Sequence, residues 1–244
     1  MTLKALLWDV DGTLAETEDH GHRVAFNLAF KEAGLRWRWD SELYGDLLKV
    51  TGGKERLMAW LERVDPQAAA APEAAARMAR LHERKTAIYV DLLARRAVGL
   101  RPGVSRLLDD AQAAGLRQAI ATTTTPANVT QLIDVTLGGR GHRLFEIVGA
   151  GDAVPNKKPA PDIYRWVLER MRLEPHECLA VEDSRMGVEA AAAAGVPVLL
   201  VRSRYTGTAT IPGTVGDLPS LEGVRLQQLR DWHAKAVQGS AAAA

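Results

Sequence analysis

The stretch that most constrains this chain is Lys4-Ala5-Leu6-Leu7-Trp8-Asp9-Val10-Asp11-Gly12-Thr13. Ala5 to Trp8 reads as a short buried strand, and polarity returns abruptly at Asp9. Two carboxylates therefore stand at the C-terminal end of a strand, the edge at which open α/β sheets bind ligands. Asp9 and Asp11 are two residues apart, so both face one side if the strand continues. Gly12 then permits a sharp turn. Neighbouring carboxylates repel, and a cation between them or a proton on one relieves the repulsion. Mg²⁺ suits all-oxygen ligands and keeps positions for water and phosphate. One carboxylate can attack a phosphoryl group. A second can protonate the leaving alcohol and later deprotonate water. A strand followed by an Asp-Gly turn is common in itself, so the rest of the chain decides.

The 244 residues are enough for one large domain or one domain with an insertion. Lys+Arg (31) and Asp+Glu (30) nearly cancel, and no long like-charge run occurs. This balance argues against a nucleic-acid or membrane-surface partner. Cys178, the one cysteine, has no partner for an internal disulfide and fits a reducing compartment, so a cytoplasmic protein is expected. No apolar run is long enough for a bilayer span. Lys4 and Asp9 leave no room for a secretory apolar segment. A monomer is expected. Residues 236–244, ending in Gly239-Ser240 and four alanines, are expected to be a frayed tail.

After Thr13 the periodicity becomes helical. Val24, Leu28, Ala29 and Ala33 predict a helix over 18–34 closed by Gly34. Asp40-Ser41-Glu42 starts the next helix. Lys54 to Val64 forms another, ended by Asp65-Pro66, and 67–77 is a loop or weak helix start. A long helix follows over about 73–95. Residues 16–96 thus read as an all-helical insertion with its own small core. The remainder alternates helix and strand, with strands at 117–121, 146–148, 178–181 and 197–201. Leu218 is a candidate start of a short terminal strand or turn, and 221–229 a candidate docking helix. The expected fold is α/β, a Rossmann-like parallel sheet core (1–15 and 97–235) with a helical cap (16–96) inserted after the first strand.

Parallel strands bring their C-terminal ends to one edge, and each end here carries a useful group. The second strand ends in Thr122-Thr123-Thr124-Thr125-Pro126, hydroxyls and backbone N–H groups at a helix start, where phosphate binds well. Asn156-Lys157-Lys158-Pro159 follows the third and offers a lysine to a phosphoryl group and to Asp9. The fourth ends in Glu182-Asp183-Ser184, a second acidic pair suited to Mg²⁺. Each alone has a bland explanation: a strand edge, a solvated loop, a helix cap. Together, in order, they supply what phosphoryl transfer through an aspartate needs.

These motifs resemble the haloacid dehalogenase superfamily: Asp9-Val10-Asp11-Gly12-Thr13, Thr122, Lys158-Pro159-Ala160-Pro161-Asp162 and Glu182-Asp183-Ser184 stand in the family's order. The resemblance implies Asp9 as nucleophile, Asp11 as general acid and base, and Thr122 and Lys158 on the transferring phosphate. It implies Mg²⁺ on Asp9, Asp183 and the backbone carbonyl of Asp11, with Glu182 a ligand or a supporting acid. Asp11, which the dehalogenases lack, favours phosphate chemistry.

The helical insertion resembles that of the subgroup holding β-phosphoglucomutase, phosphoglycolate phosphatase and the CbbY proteins. Ala15-Glu16-Thr17-Glu18, Trp39-Asp40, Thr51-Gly52-Gly53-Lys54-Glu55-Arg56, Arg84-Lys85-Thr86 and Thr122 to Asn128 look most like CbbY. This implies a phosphatase of a sugar bisphosphate such as xylulose 1,5-bisphosphate, with Glu16, His22, Thr51, Gly52, Lys54, Arg56, Lys85, Thr123, Thr124 and Asn128 toward the substrate. One residue is inserted in Asp19-His20-Gly21-His22 relative to the usual spacing, and of the two histidines His22 is expected to face the substrate. Physically, Lys54, Arg56 and Lys85 suit a second phosphate, which needs cations on the wall opposite the core site. A phosphosugar mutase, a phosphoglycolate-type phosphatase and a non-catalytic phosphosugar-binding protein are the alternatives.

Overall fold

The computed structural model describes residues 2–95 and 98–242. Among them, six strands form one parallel sheet in the order β3-β2-β1-β4-β5-β6. They are β1 (Ala5–Trp8), β2 (Arg117–Ala121), β3 (Ile147–Gly149), β4 (Cys178–Glu182), β5 (Val198–Val201) and β6 (Thr214–Leu218). The chain leaves β1 in the middle and adds strands on both sides, so β1 lies at the point where the winding reverses and a crevice opens. Trp8 pairs with Ile120 on one side and Val181 on the other. The next residue on each strand is therefore level with Asp9.

Side chains alternate across the sheet as the period of two requires. Leu6, Trp8, Ile120, Leu179, Val181 and Leu199 join one buried cluster. Ala5, Leu7, Ala119, Ala121, Cys178, Ala180 and Val198 join the other. In the helical segment after β1, the helices are α1 (Arg23–Glu32), α2 (Ser41–Leu47), α3 (Gly53–Val64), α4 (Pro66–Ala69) and α5 (Ala74–Ala94). After it come α6 (Val104–Ala113), α7 (Pro126–Leu137), α8 (Gly141–Leu144), α9 (Asp162–Met171), α10 (Arg185–Ala193) and α11 (Leu226–Ala242). Helices α6, α7 and α11 cover the first face, and α9 and α10 the second.

Local chemistry sets the helix ends. Asp40 accepts from the Leu43 N–H at 2.9 Å and starts α2, and Asp65 accepts from Ala68 at 2.9 Å and starts α4. Gly34 follows α1 at φ 68°, the left-handed geometry of a helix stop.

The structure corrects several sequence expectations. Residues 66–69 form a short helical turn, the weak helix start of the two alternatives for this stretch. Leu218 ends the sixth strand instead of starting one. The terminal helix runs over Leu226–Ala242, with Val237 buried, so 236–242 are not a frayed tail; 243 and 244 lie outside the described residues. The expected boundary at 96 and 97 lies outside them too. The helical segment does not have a core of its own. Its aromatic centre (Phe26, Phe30, Trp39, Tyr44) belongs to the same buried cluster as Leu6 and Trp8.

Candidate active site

Asp9 follows β1 directly, and its N–H donates to Val181 O at 3.1 Å, continuing the ladder by one bond. Its carboxylate meets Lys158, whose ammonium donates to Asp9 Oδ1 (2.7 Å), Glu182 Oε1 (2.6 Å) and Ala121 O (2.8 Å). All three donor positions of the ammonium are thus used among buried groups. Tyr164 of α9 also donates to Glu182 Oε1. Asp9, Glu182 and Asp183 bring ligand atoms within 4.8 Å of one another. Asp11 is not in this cluster, because its side chain turns the other way.

Burial shifts these charges strongly. Desolvation is the chief cause that lifts Asp9 to about 7, with Lys158 opposing and Glu182 adding. Burial, then Asp9, raises Asp183 well above the usual carboxylate range. Lys158 is penalised by burial, but Asp9 and Glu182 outweigh that and raise it. Glu182 Oε2 is buried with no hydrogen-bond partner. Three acids around one lysine leave negative charge uncompensated, so an oxygen-seeking dication fits this cluster. Gly12, at φ 82°, is what lets the turn pass: a Cβ there would stand 2.1 Å from Asp183 Oδ2.

Asp11 is held by a separate arm. Thr17 Oγ1 donates to Asp11 Oδ1 at 2.5 Å, and His22 Nε2 reaches the same oxygen at 2.9 Å. With Nε2–H directed at the carboxylate, His22 Nδ1 is left as acceptor for Lys85 Nζ at 2.7 Å. The imidazole stacks on Tyr89 with centroids 3.9 Å apart. Burial pushes the Asp11 carboxyl up, but His22 and Thr17 outweigh it and hold it at about 2. Burial drives Lys85 down to about 7 despite Glu18 and Asp11.

His22 reaches Asp11 because residues 18–22 form a single π-type turn. The His22 N–H bonds Thr17 O, five residues back, at 2.8 Å. A π-turn is how a helix absorbs one extra residue, which accounts for the altered spacing seen in the sequence. His20 instead projects outward, its side chain 70% exposed. Gly21 sits where a Cβ would come within 2.8 Å of Tyr89, the ring on which His22 stacks.

A cavity of about 450 Å³ opens over Asp9, Asp11, Thr122, Thr123, Lys158 and Asp183, with Thr51 and Arg56 on its helical wall. A smaller space of about 80 Å³ adjoins it, where Gly52, Lys54, Arg56 and Lys85 face Thr123, Thr124 and Asn128 at the start of α7. Thr124 Oγ1 accepts from Asn128 Nδ2 at 2.9 Å, leaving Asn128 Oδ1 buried and unpaired. Thr51 donates to Lys158 O at 2.5 Å, bridging the helical segment and the sheet. Arg56 is buried, donating to Leu47 O and Tyr44 Oη.

Two expectations meet a different arrangement. Glu16 lies outside both cavities, accepting from the Arg204 N–H at 3.1 Å and facing Arg101 Nε at 3.5 Å. Lys54 lines the small space but is paired with Asp152 at 2.7 Å. Sequence reasoning missed Thr17, Glu18, His82, Asp152 and Lys157. His82 lines the cationic space, buried and driven to about 3 chiefly by desolvation, so it is neutral there. Its helical spacing from Lys85 (i, i+3) on α5 was the available signal.

The family model for haloacid dehalogenase-like hydrolases matches residues 3–195. Protein CbbY of Rhodobacter capsulatus is 47% identical over 229 residues, covering 94% of this chain and 98% of that protein. Crystal structures of CbbY from Rhodobacter sphaeroides, one with phosphate and one of a variant with xylulose-(1,5)bisphosphate, superpose at TM-score 0.83. They share 40% identity and cover 91% of this chain and 96% of that one. β-Phosphoglucomutase from Clostridium difficile superposes at TM-score 0.78 with 19% identity, a likeness of fold. The chain belongs to the haloacid dehalogenase-like hydrolases and stands among them with the CbbY proteins.

Proposed function

We propose that this protein is a Mg²⁺-dependent phosphatase of a small sugar bisphosphate, with xylulose 1,5-bisphosphate as the best candidate. The observation that carries the reading is the division of labour between two carboxylates two residues apart. Asp9 sits on a buried lysine beside two further acids, whereas Asp11 is held on its own arm by Thr17 and His22. In the first step the Asp9 oxygen that Lys158 leaves free attacks phosphorus, and the phosphorus–oxygen bond to the sugar breaks. Asp11 gives its proton to the leaving oxygen. In the second step water attacks the aspartyl-phosphate, Asp11 takes the water's proton, and phosphate leaves Asp9. The free-state Asp11 is ionised, ready for the second step. The arriving phosphate dianion, a like charge beside it, favours its uptake of the proton needed for the first.

Asp9, Asp183 and the Asp11 carbonyl would hold the Mg²⁺, with Glu182 as ligand or support, and the orphaned Glu182 Oε2 fits such a charge. The ion supplies charge neutralisation at the phosphoryl oxygens. Thr122 and Lys158 would bind the transferring group. The segment 16–96 acts as a cap over the site. Lys54, Arg56 and Lys85, opposite the α7 N-terminus with Thr123, Thr124 and Asn128, suit the phosphate that is not transferred. The ligand in the Rhodobacter sphaeroides crystal agrees with a substrate carrying two phosphates.

The test is phosphate release with Mg²⁺ from xylulose 1,5-bisphosphate, ribulose 1,5-bisphosphate, β-glucose 1-phosphate and phosphoglycolate. A clear preference for the first is expected. Equal slow release from all four would sink the substrate assignment. Asp9→Asn is expected to abolish turnover with an unchanged melting temperature, and substantial residual activity would remove Asp9 as nucleophile.

A further inference from the structure

The loop that follows β5 has two ends of interest. At one, Thr206 Oγ1 donates to Asp183 O at 2.5 Å. The loop is tied internally as well, by Ser203 N–H donating to Thr206 Oγ1 at 2.8 Å. At the other end, Tyr205 Oη donates to Asp19 Oδ1 at 2.6 Å, and Arg204 Nε approaches Asp19 Oδ2 at 3.6 Å.

Asp19 is a buried carboxylate in the π-type turn, three residues before His22. It also accepts from Arg23 Nε (2.6 Å) and Ser41 Oγ (2.7 Å), both within the helical segment. Tyr205 is therefore the hydrogen-bond donor that reaches this carboxylate from the sheet side.

We propose that Tyr205 is a positioning residue for Asp11. Anchored on Asp183 through Thr206, the loop fixes Asp19, and with it the turn whose last residue places His22 on Asp11. A π-turn is one hydrogen-bond register away from an ordinary helical turn, and that alternative register would rotate His22 by roughly 100° about the helix axis, off Asp11. The Tyr205–Asp19 bond is a charge-assisted contact that selects one register. The inference rests on the proposed roles of Asp9 and Asp11.

The ring of Tyr205 also packs edge-on against Tyr44 with centroids 5.9 Å apart. Tyr205→Phe keeps that packing and removes only the hydroxyl. The measurement is kcat/KM, which reports steps up to phosphoryl transfer onto Asp9 and excludes hydrolysis of the aspartyl-phosphate. Two substrates are compared with Mg²⁺: xylulose 1,5-bisphosphate, whose alkoxide must be protonated on leaving, and p-nitrophenyl phosphate, whose leaving group needs no proton.

Tyr205→Phe is expected to lower kcat/KM about tenfold for the sugar bisphosphate and less than about twofold for the aryl phosphate. On an Asp11→Asn background it should add no further loss for the bisphosphate. Equal losses on both substrates, no loss on either, or a further loss on the Asp11→Asn background would each overturn the proposal. A wild-type enzyme that hydrolyses neither substrate would instead refute the phosphatase reading, and the inference would fall with it.

Discussion

Lys85 is an ammonium enclosed by apolar and aromatic neighbours, 4.6 Å above the Phe26 ring and 5.2 Å above Tyr89. The unfolded chain keeps this proton up to the ordinary value of 10.5, and the folded one only to about 7. Below pH 7 both states are protonated, and the folded state bears the whole cost of the buried charge. Between pH 7 and 10.5 only the unfolded state stays protonated, so the cost fades as pH rises. Lys85→Met is therefore expected to raise the melting temperature at pH 6 and to raise it less at pH 9. A gain independent of pH would assign the effect to packing instead of charge. At this scale, the residues at strand ends were legible because chain order alone brings them together. His22 was expected over His20, but the hydrogen-bond register of one turn, which carries it to Asp11, was not legible. Tyr205 and Asp152 were not legible, because each acts through a contact with a distant part of the chain that no local spacing encodes.

Among the elements, α10 and α3 carry opposing lessons. Gly187 in α10 would ordinarily gain up to about 1 kcal/mol of helix stability on becoming alanine. Here a Cβ would stand 1.8 Å from Glu182 Oε2. The buried carboxylate that pairs with Lys158 would have to move, and steric exclusion wins over propensity. Gly187→Ala is expected to lower both the melting temperature and phosphate release, and a stabilised, fully active variant would contradict this. In α3, Lys54 and Asp152 are 40% and 66% exposed, so their pair contributes only about 0–1 kcal/mol. Lys54→Ala should leave stability nearly unchanged. It should raise KM for a sugar bisphosphate about tenfold, the size of one lost charge-assisted bond, and leave a monophosphate unaffected. An equal rise for both would remove Lys54 from the second phosphate. A helix with strong apolar spacing, α5, was placed from sequence almost to the residue. β6 was not, because its edge position leaves its residues only part-buried, which weakens the alternation a strand is read by.

For the molecule as a whole, the order of strand ends predicted the sheet and its reactive edge, because parallel βα units leave few topologies. The packing of the helical segment onto the sheet did not follow from its periodicity, since an apolar stripe does not say what covers it. The result is one buried cluster running from Trp8 to Phe26, with an acid-rich site at the seam. A dication bound by the acids of that site would be a term in global stability. Between about pH 4 and 7 the folded metal-free protein holds a proton on Asp9 that the unfolded chain has lost, so its stability falls as pH rises through that window. A Mg²⁺ held there, as proposed, would take the proton's place. At a hundred times its Kd, an ion bound only by the folded state adds about 2.7 kcal/mol. For a chain of this size that is a rise of about 5–10 °C in melting temperature. The rise is expected at pH 8 and should shrink at pH 5, where the cation must displace the proton from Asp9. Asp183→Asn should remove most of it at either pH. A shift of equal size at both pH values, or one that survives Asp183→Asn, would place the ion elsewhere on the molecule.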